Sequence, residues 1–570
     1  MKTGIQRVLV FDRDKIWAEA AKEELKMRGF ACDVEAGKFD SCRSKALQTV
    51  YSVAMINVHA LEEAEIAIQH FASEFPATTI VLLQDRVDPD LGKLGWHQKQ
   101  VYGSFVKNHH PISEIGDLVW HIVRGEEHPT KVKIVWPADL DLILKGYAES
   151  LSCAAATRGG NLSLRVLREE LDLVVRKIFS DTEGGEPITK EIKVECFGPE
   201  LGHSASSMFK LTPVISFGTA GQKSAVLKFG PLADIQQESR NYDQFVEWFL
   251  TVDQTVRKIG YAKGNRCAGI LYSYPRDVVG GYTPYADYLR NHPLEECLAI
   301  IQRMFNLDNR RWLSVDATPF IPKKEAGFQT YYLNKVLHAT IYEMQNTHLE
   351  DVERQMANLK PHVPWSCNAN EITLPFLSLT VPNPVSFLSR PLRDGVKFTI
   401  IHGDLHGYNI LIDQSGRYFF IDFFYTGFGD IYRDFIELEL SVRYDLLCSR
   451  KLPDEKLLAS RDSQQINVNG LQLLKRLEKA LIQKTIYGKE PQDSIFSTNT
   501  DLAKAYHVIC SIRDFARQNH PAGMKQYYMG LIYSALKSVK YFYPLDVKLY
   551  RLFLAGLYVQ VVDGWKVNAG

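Results

Sequence analysis

The run FTIIHGDLHGYNILID, residues 398–413, sets His402, Asp404, His406 and Asn409 between two short apolar stretches, and Asp422 follows in YFFIDFF. Histidines four residues apart suit a helical zinc site. Gly403 and Gly407 fall inside that span, however, and β-rich FTII precedes it, so a loop is the better reading. Asp422, with apolar residues on both sides, costs several kcal/mol to bury ionised unless a cation or donors meet it. Asp404, Asn409 and Asp422 all bear hard oxygens. Two of them can hold Mg²⁺ while substrate phosphates complete its shell, which leaves one Asp to act as a base.

The elements that must position these residues follow from periodicity. Between residues 6 and 125, apolar runs (RVLVFD, FACDVEA, YSVAMINV, TTIVLLQD, VYGSFVKN) alternate with amphipathic segments. This order predicts an α/β flavodoxin-like domain over 1–127, with five parallel strands covered by helices on both faces. Residues 128–194 read as a helical connector. In it Leu164, Leu167, Leu171, Val174, Val175 and Ile178 form an apolar stripe that needs a partner, a second copy of the chain being one candidate. After residue 190 the pattern turns to antiparallel strands (EIKVECFGPEL, SSMFKLTPVISFG, KSAVLKFG), then to a helix capped by Asp234 with Gln237 three residues on. From about 285 the chain is mainly helical, interrupted by a hairpin region at 398–424. The Tyr and Phe abundance from 506 to 558 reads as core.

Composition narrows the partners. Lys+Arg and Asp+Glu both number 67, so no basic excess points to nucleic acid or an anionic membrane. Nine scattered cysteines without a C-x-x-C pair read as reduced core thiols. No signal-like start and no run of 18 apolar residues is present, so a cytoplasmic protein is expected.

HGDLHGYN followed by IDF resembles the aminoglycoside phosphotransferase and choline kinase-like family, which shares the protein-kinase fold. The resemblance implies an α+β two-lobed protein-kinase-like domain, with an N-lobe over 195–275 and a large helical C-terminal lobe over 276–570. It implies Asp404 as catalytic base, Asn409 and Asp422 as metal ligands, and His402 as the buried histidine supporting the loop. GFGDIYRDF matches the family's G-D-x-x-x-D element, giving Asp430 and Asp434 structural roles. Lys228, an amine in the strand SAVLKFG, needs an acidic partner, and Glu238 in the next helix is the candidate for a kinase-type pair orienting ATP phosphates. Gly202 and Ser204 in LGHSASSMF are candidates for phosphate contact. Leu271 to Ser273 in AGILYSY are expected to offer backbone groups to adenine. Asp422 is followed by Phe-Phe, no A-P-E occurs, and seven residues separate Asp422 from Asp430, which leaves no room for a protein-kinase activation loop.

The first domain resembles a response-regulator receiver: Asp12 remains at strand one and Lys107 matches the family lysine. Arg13 stands at the second acidic position, where it is expected to put a cation into the Mg²⁺ pocket. Asn57 replaces the phosphoacceptor Asp, and Gln84 the usual hydroxyl. This implies a phosphorylation-deficient pseudo-receiver that docks or dimerises. The combined expectation is an ATP- and Mg²⁺-dependent O-phosphotransferase acting on a small-molecule hydroxyl acceptor. A protein partner or self-association engages the pseudo-receiver and connector, with no nucleic acid or membrane partner. The alternative is a nucleotide-binding regulatory pseudokinase or scaffold in a bacterial signalling or defence assembly.

Overall fold

Consecutive strand residues point to opposite faces of a sheet, and the first strands follow this residue by residue. β1 (Arg7–Phe11), β2 (Ala31–Glu35), β3 (Val53–Asn57), β4 (Thr79–Gln84) and β5 (Val101–Val106) pair in parallel in the order β2-β1-β3-β4-β5. The helices are α1 (Lys15–Met27), α2 (Phe39–Ala46), α3 (Leu61–Glu74) and α4 (Ser113–Gly125). Val8, Val10, Met55, Val81 and Leu83 share a core with α1 and α4. Leu9, Phe11, Ala54, Ile56, Ile80 and Leu82 share another with α2 and α3. Coverage of both faces explains the near-continuous apolar strands. Asp14 caps α1, its carboxylate accepting from the Ile16 and Trp17 amides at 3.0 and 3.1 Å.

The computed structural model describes residues 7–36, 39–59, 61–75, 77–85, 101–107, 111–125, 132–155, 163–179, 182–183, 186–187, 189–196, 207–215, 224–250, 255–264, 266–273, 282–308, 310–313, 315–321, 327–358, 365–390, 392, 395–447, 466–490, 496, 500–540 and 544–564. The chain divides into two units: Met1–Arg240 with Val256–Asp277, and Asn241–Thr255 with Val278–Gly570.

The first unit also holds a second sheet. Its strands β6 (Lys133–Val135), β9 (Thr189–Cys196), β10 (Ser207–Ile215), β11 (Ala225–Pro231), β12 (Lys258–Lys263) and β13 (Cys267–Ser273) lie in the order β12-β13-β11-β10-β9-β6. All neighbours are antiparallel except β6 and β9. The stretch read as a helical connector builds this sheet. It supplies β6, the helices α5 (Leu140–Ala155) and α6 (Leu164–Ile178), and the small hairpin of β7 (Thr182–Glu183) and β8 (Glu186–Pro187). The apolar stripe of α6 finds its partner within the chain: Leu167, Leu171, Val174 and Val175 share one core with Phe209, Leu211, Leu227, Phe229 and Leu271, and Leu164 and Ile178 pack at its margin. Helix α7 (Leu232–Asn241) follows β11 and starts two residues before Asp234, so Asp234 lies in its first turn and is not its cap.

Among the described residues the second unit holds three small sheets set among helices. β14 (Thr283–Pro284), β19 (Ile410–Ile412) and β20 (Tyr418–Phe420) form one, and β15 (Ser366–Cys367), β16 (Glu371–Leu374) and β17 (Leu379–Pro382) another. The expected hairpin at 398–424 is two structures. β18 (Phe398–Ile401) pairs with β21 (Gly427–Asp430), while β19 pairs with β20. The helices Thr500–Asn519, Met524–Lys537 and Leu545–Asp563 carry most of the aromatic residues read as core. Tyr527, Tyr528, Tyr550 and Tyr558 are indeed fully buried, yet they also serve charge: the Arg513 guanidinium lies 5.4 and 5.2 Å from the stacked rings of Tyr528 and Tyr558. Arg513 pairs with Glu439 at 2.7 Å and Arg443 with Glu478 at 2.7 Å, all four fully buried. These charges balance, and that pull holds the Glu439 carboxyl down at about 2 against its burial. Among the described residues no helix is long and apolar enough to cross a membrane.

Candidate active site

Three chemically distinct clusters occupy the positions singled out in the sequence. In the first sheet, Asp12 follows β1, Asn57 ends β3, and Lys107 follows β5. Lys107 Nζ donates to both Asp12 oxygens, at 3.0 and 2.9 Å, and also pairs with Asp85. Burial raises the Asp12 pKa in spite of the lysine. Asn57 Nδ2 lies 3.4 Å from the Leu83 carbonyl, and its buried Oδ1 has no hydrogen-bond partner. Arg13 is not the cation of this pocket: its side chain is half exposed and turns outward to Glu63 at 2.8 Å. Two residues past the strand end the chain has left the sheet's alternation, so the side chain's direction is set by the surface pair and not by the strand.

In the second sheet Lys228, on β11, meets Glu238, on α7, at 2.6 Å. The two are 5% and 1% exposed, so an unpaired charge at either position would be strongly unfavourable. Tyr272 Oη donates to the other Glu238 oxygen at 2.8 Å, fixing the carboxylate's rotation. Leu271 lies within β13, opposite Leu227 on one side and Gly260 on the other. The Ser273 amide donates to the Arg257 carbonyl at 2.7 Å, and its Oγ accepts from the Arg257 amide at 3.0 Å. Gly202 and Ser204 lie outside the described residues.

A single carboxylate clamps the start of the loop 402–409. Asp434, in the first turn of the helix Arg433–Ser441, accepts from the His402 amide at 2.7 Å and the Gly403 amide at 2.8 Å. Burial raises the Asp434 pKa, opposed by His402 and these two amides. Gly403 is required here, because at φ +82° a Cβ would stand 2.4 Å from the Tyr425 carbonyl oxygen. His402 is buried and its Nε2 faces the Ile421 carbonyl at 2.9 Å, so that nitrogen carries the proton; burial lowers its pKa and keeps the ring neutral. Gly407 donates to Ser441 Oγ at 2.7 Å. Asn409 Nδ2 donates to the Asp404 carbonyl at 2.9 Å, which sets which end of the amide is nitrogen and leaves Oδ1 as the oxygen available to a cation.

The carboxylates differ in exposure. Asp404 is partly exposed, with His406 Nε2 at 3.6 Å from its Oδ2. Asp422 adopts φ +66°, a left-handed conformation uncommon for any residue but glycine, and such strain concentrates where chemistry constrains a side chain. Asn241 Nδ2 fixes the chain just beyond it, donating to the Phe423 and Phe424 carbonyls at 3.2 and 2.6 Å. Asp430 is buried and receives the Tyr332 hydroxyl at 2.7 Å and the Tyr432 amide at 2.9 Å; burial pushes its pKa up to about 6. The zinc alternative fails on orientation, since His402 Nε2 faces the Ile421 carbonyl in the core while His406 Nδ1 accepts from the Tyr408 amide. Among the described residues no group of three or more His, Cys, Asp and Glu could hold a metal. Mg²⁺ asks for less: one or two carboxylates with water and phosphate oxygens, a demand Asp422 and Asn409 Oδ1 fit.

Residues 334–540 match the family model described as ternary complex associated domain 9. That span includes Asp404, Asn409, Asp422 and Asp434. No curated protein matches the chain by sequence. Among the solved structures similar to it are the following three. A response regulator from Thermotoga maritima is 21% identical with TM-score 0.20, covering 21% of this chain and 98% of its own. A thermostable mutant of an aminoglycoside phosphotransferase is 12% identical with TM-score 0.31, covering 65% and 96%. A choline kinase from Streptococcus pneumoniae is 12% identical with TM-score 0.23, covering 56% and 93%.

Two contributors to the site had escaped the sequence reading. Ser441 and Thr426 hold the loop from 34 and 24 residues away, Thr426 Oγ1 donating to the His402 carbonyl at 3.2 Å. Neither sits in a motif, so only the folded chain reveals them.

Proposed function

We propose that the chain is an ATP- and Mg²⁺-dependent O-phosphotransferase acting on a small-molecule hydroxyl. The observation that carries this reading is the loop itself: one carboxylate, Asp434, clamps two successive amides, while Asp404 stays partly open to solvent and Asp422 is held left-handed. In this reading Asp404 accepts the acceptor hydroxyl's proton, and its carbonyl keeps the Asn409 amide oriented. Asn409 Oδ1 and the Asp422 carboxylate hold the metal, whose bound form would neutralise charge on phosphate oxygens. Lys228, steadied by Glu238, orients the nucleotide phosphates. His402 remains neutral and serves only to support the loop.

The second reading is a nucleotide-binding scaffold without turnover, acting with protein partners through the receiver-like region. It is favoured by the description of the matched family as associated with ternary complexes and by the closed Asp12–Lys107 pair. One experiment separates the two. Purified full-length protein is incubated with γ-labelled ATP, Mg²⁺ and a pool of metabolites, and transfer is followed alongside melting temperature with and without EDTA. The enzyme reading expects label on a hydroxyl compound and a MgATP-dependent rise in Tm, since a ligand at 100 times its Kd stabilises by about 2.7 kcal/mol. Asp422→Ala should abolish the metal-dependent rise and Asp404→Ala should retain it. A Tm rise with no transfer would favour the scaffold, and an unchanged Tm at millimolar MgATP would dispose of both.

A further inference from the structure

Two polar atoms beside the clamped loop lack partners. Trp312 Nε1, from the helix Arg310–Leu313, and His402 Nδ1 are both buried and make no hydrogen bond. Both side chains line one cavity of about 20 Å³, whose walls also include Asp434, Phe305, Leu313, Leu405 and Phe420.

The two orphans are chemically complementary. An indole Nε1–H can only donate. With its proton on Nε2, facing the Ile421 carbonyl at 2.9 Å, His402 presents Nδ1 as an acceptor. A group between them must therefore accept from one and donate to the other. An ammonium cannot accept, and a halide or carboxylate cannot donate. A water molecule does both, and one water needs roughly 10–15 Å³ and two to four polar partners.

We infer that the loop rests on one buried water, which accepts from Trp312 Nε1, donates to His402 Nδ1, and gives its second hydrogen to the Asp434 carboxylate. Each Asp434 oxygen takes one backbone amide and has a lone pair to spare. The water then ties the helix Arg310–Leu313 to the same carboxylate that clamps His402 and Gly403. It also makes the Nε2–H tautomer of His402 the only one that satisfies both ring nitrogens. This site is independent of whether the protein transfers phosphate.

A crystal structure of the full chain at a resolution that shows ordered water tests the assignment. One peak is expected within about 3 Å of both Trp312 Nε1 and His402 Nδ1. The absence of a peak, or a rotated ring pairing Nδ1 with a protein donor, overturns it. Trp312→Phe should lose the peak, and its persistence there would show that the water is not held as a bridge. Should that variant fail to fold, protein labelled with ¹⁵N-tryptophan provides a second measurement. The Trp312 indole proton is expected to show cross-relaxation with a long-lived water, and its absence counts against the site.

Discussion

The receiver-like pocket and the 402–422 loop draw on the same residue types and reach opposite electrostatic ends. In the pocket, Asp12 and Asp85 share the internal cation Lys107, and the remaining position, Asn57, carries an amide that is no nucleophile. In the loop, the buried carboxylate, Asp434, spends itself on backbone amides and leaves Asp404 partly open. The lesson is that a cluster of acids becomes a metal or proton site only if the fold satisfies its buried members without using a side-chain cation. Lys107 closes the first cluster; two amide hydrogens at Asp434 keep the second open.

Removing the clamp should have the largest effect on stability. Asp434→Ala strips two charge-assisted hydrogen bonds and leaves two buried donors, a loss of about 3 kcal/mol or more in denaturant unfolding. A loss below about 1 kcal/mol would mean the amides find other acceptors, and the contrast between the clusters would collapse. Next comes Asp404→Ala, which should lower kcat by about 10²-fold or more with little change in nucleotide Kd, because a general base acts on the acceptor. Equal turnover in variant and parent would leave the loop and the pocket alike in being inactive.

Two null results sharpen the other side. Acetyl phosphate with Mg²⁺ should add no phosphoryl group to residues 1–127, as judged by mass spectrometry under conditions that preserve acyl phosphates. An acid-labile addition on Asp12 or Asp14 would show that Lys107 does not close the pocket. The smallest signal concerns His402. Its folded pKa is lowered by burial, so below about 6.5 the unfolded chain takes up a proton that the native ring refuses. Its contribution to stability is full above about 6.5 and is lost as pH falls toward its depressed native value. The His402 ring resonances should therefore not titrate between pH 8 and about 6. A midpoint near the ordinary histidine value would mean that the ring is not sealed beneath the loop.

What the sequence determined by itself was local. The near-continuous apolar runs RVLVF and VAMIN specified strands buried on both faces of the first sheet, and the stripe on Leu164–Ile178 specified which face of α6 is buried. The spacing of Asp404, Asn409 and Asp422 marked one compact polar loop. These are properties of one strand, helix or turn, read from periods of 2 and 3.6 residues and from the cost of burying a charge. The tertiary structure decided what each local feature meets. It gave the α6 stripe its own chain's sheet as partner, turned Arg13 outward to Glu63, and split the expected hairpin by pairing β18 with β21. It also brought Asp434, Thr426 and Ser441 to the loop from 24 to 34 residues away. Strand order and the direction of a side chain beyond a strand end depend on contacts between distant segments. No period or spacing within either segment encodes them.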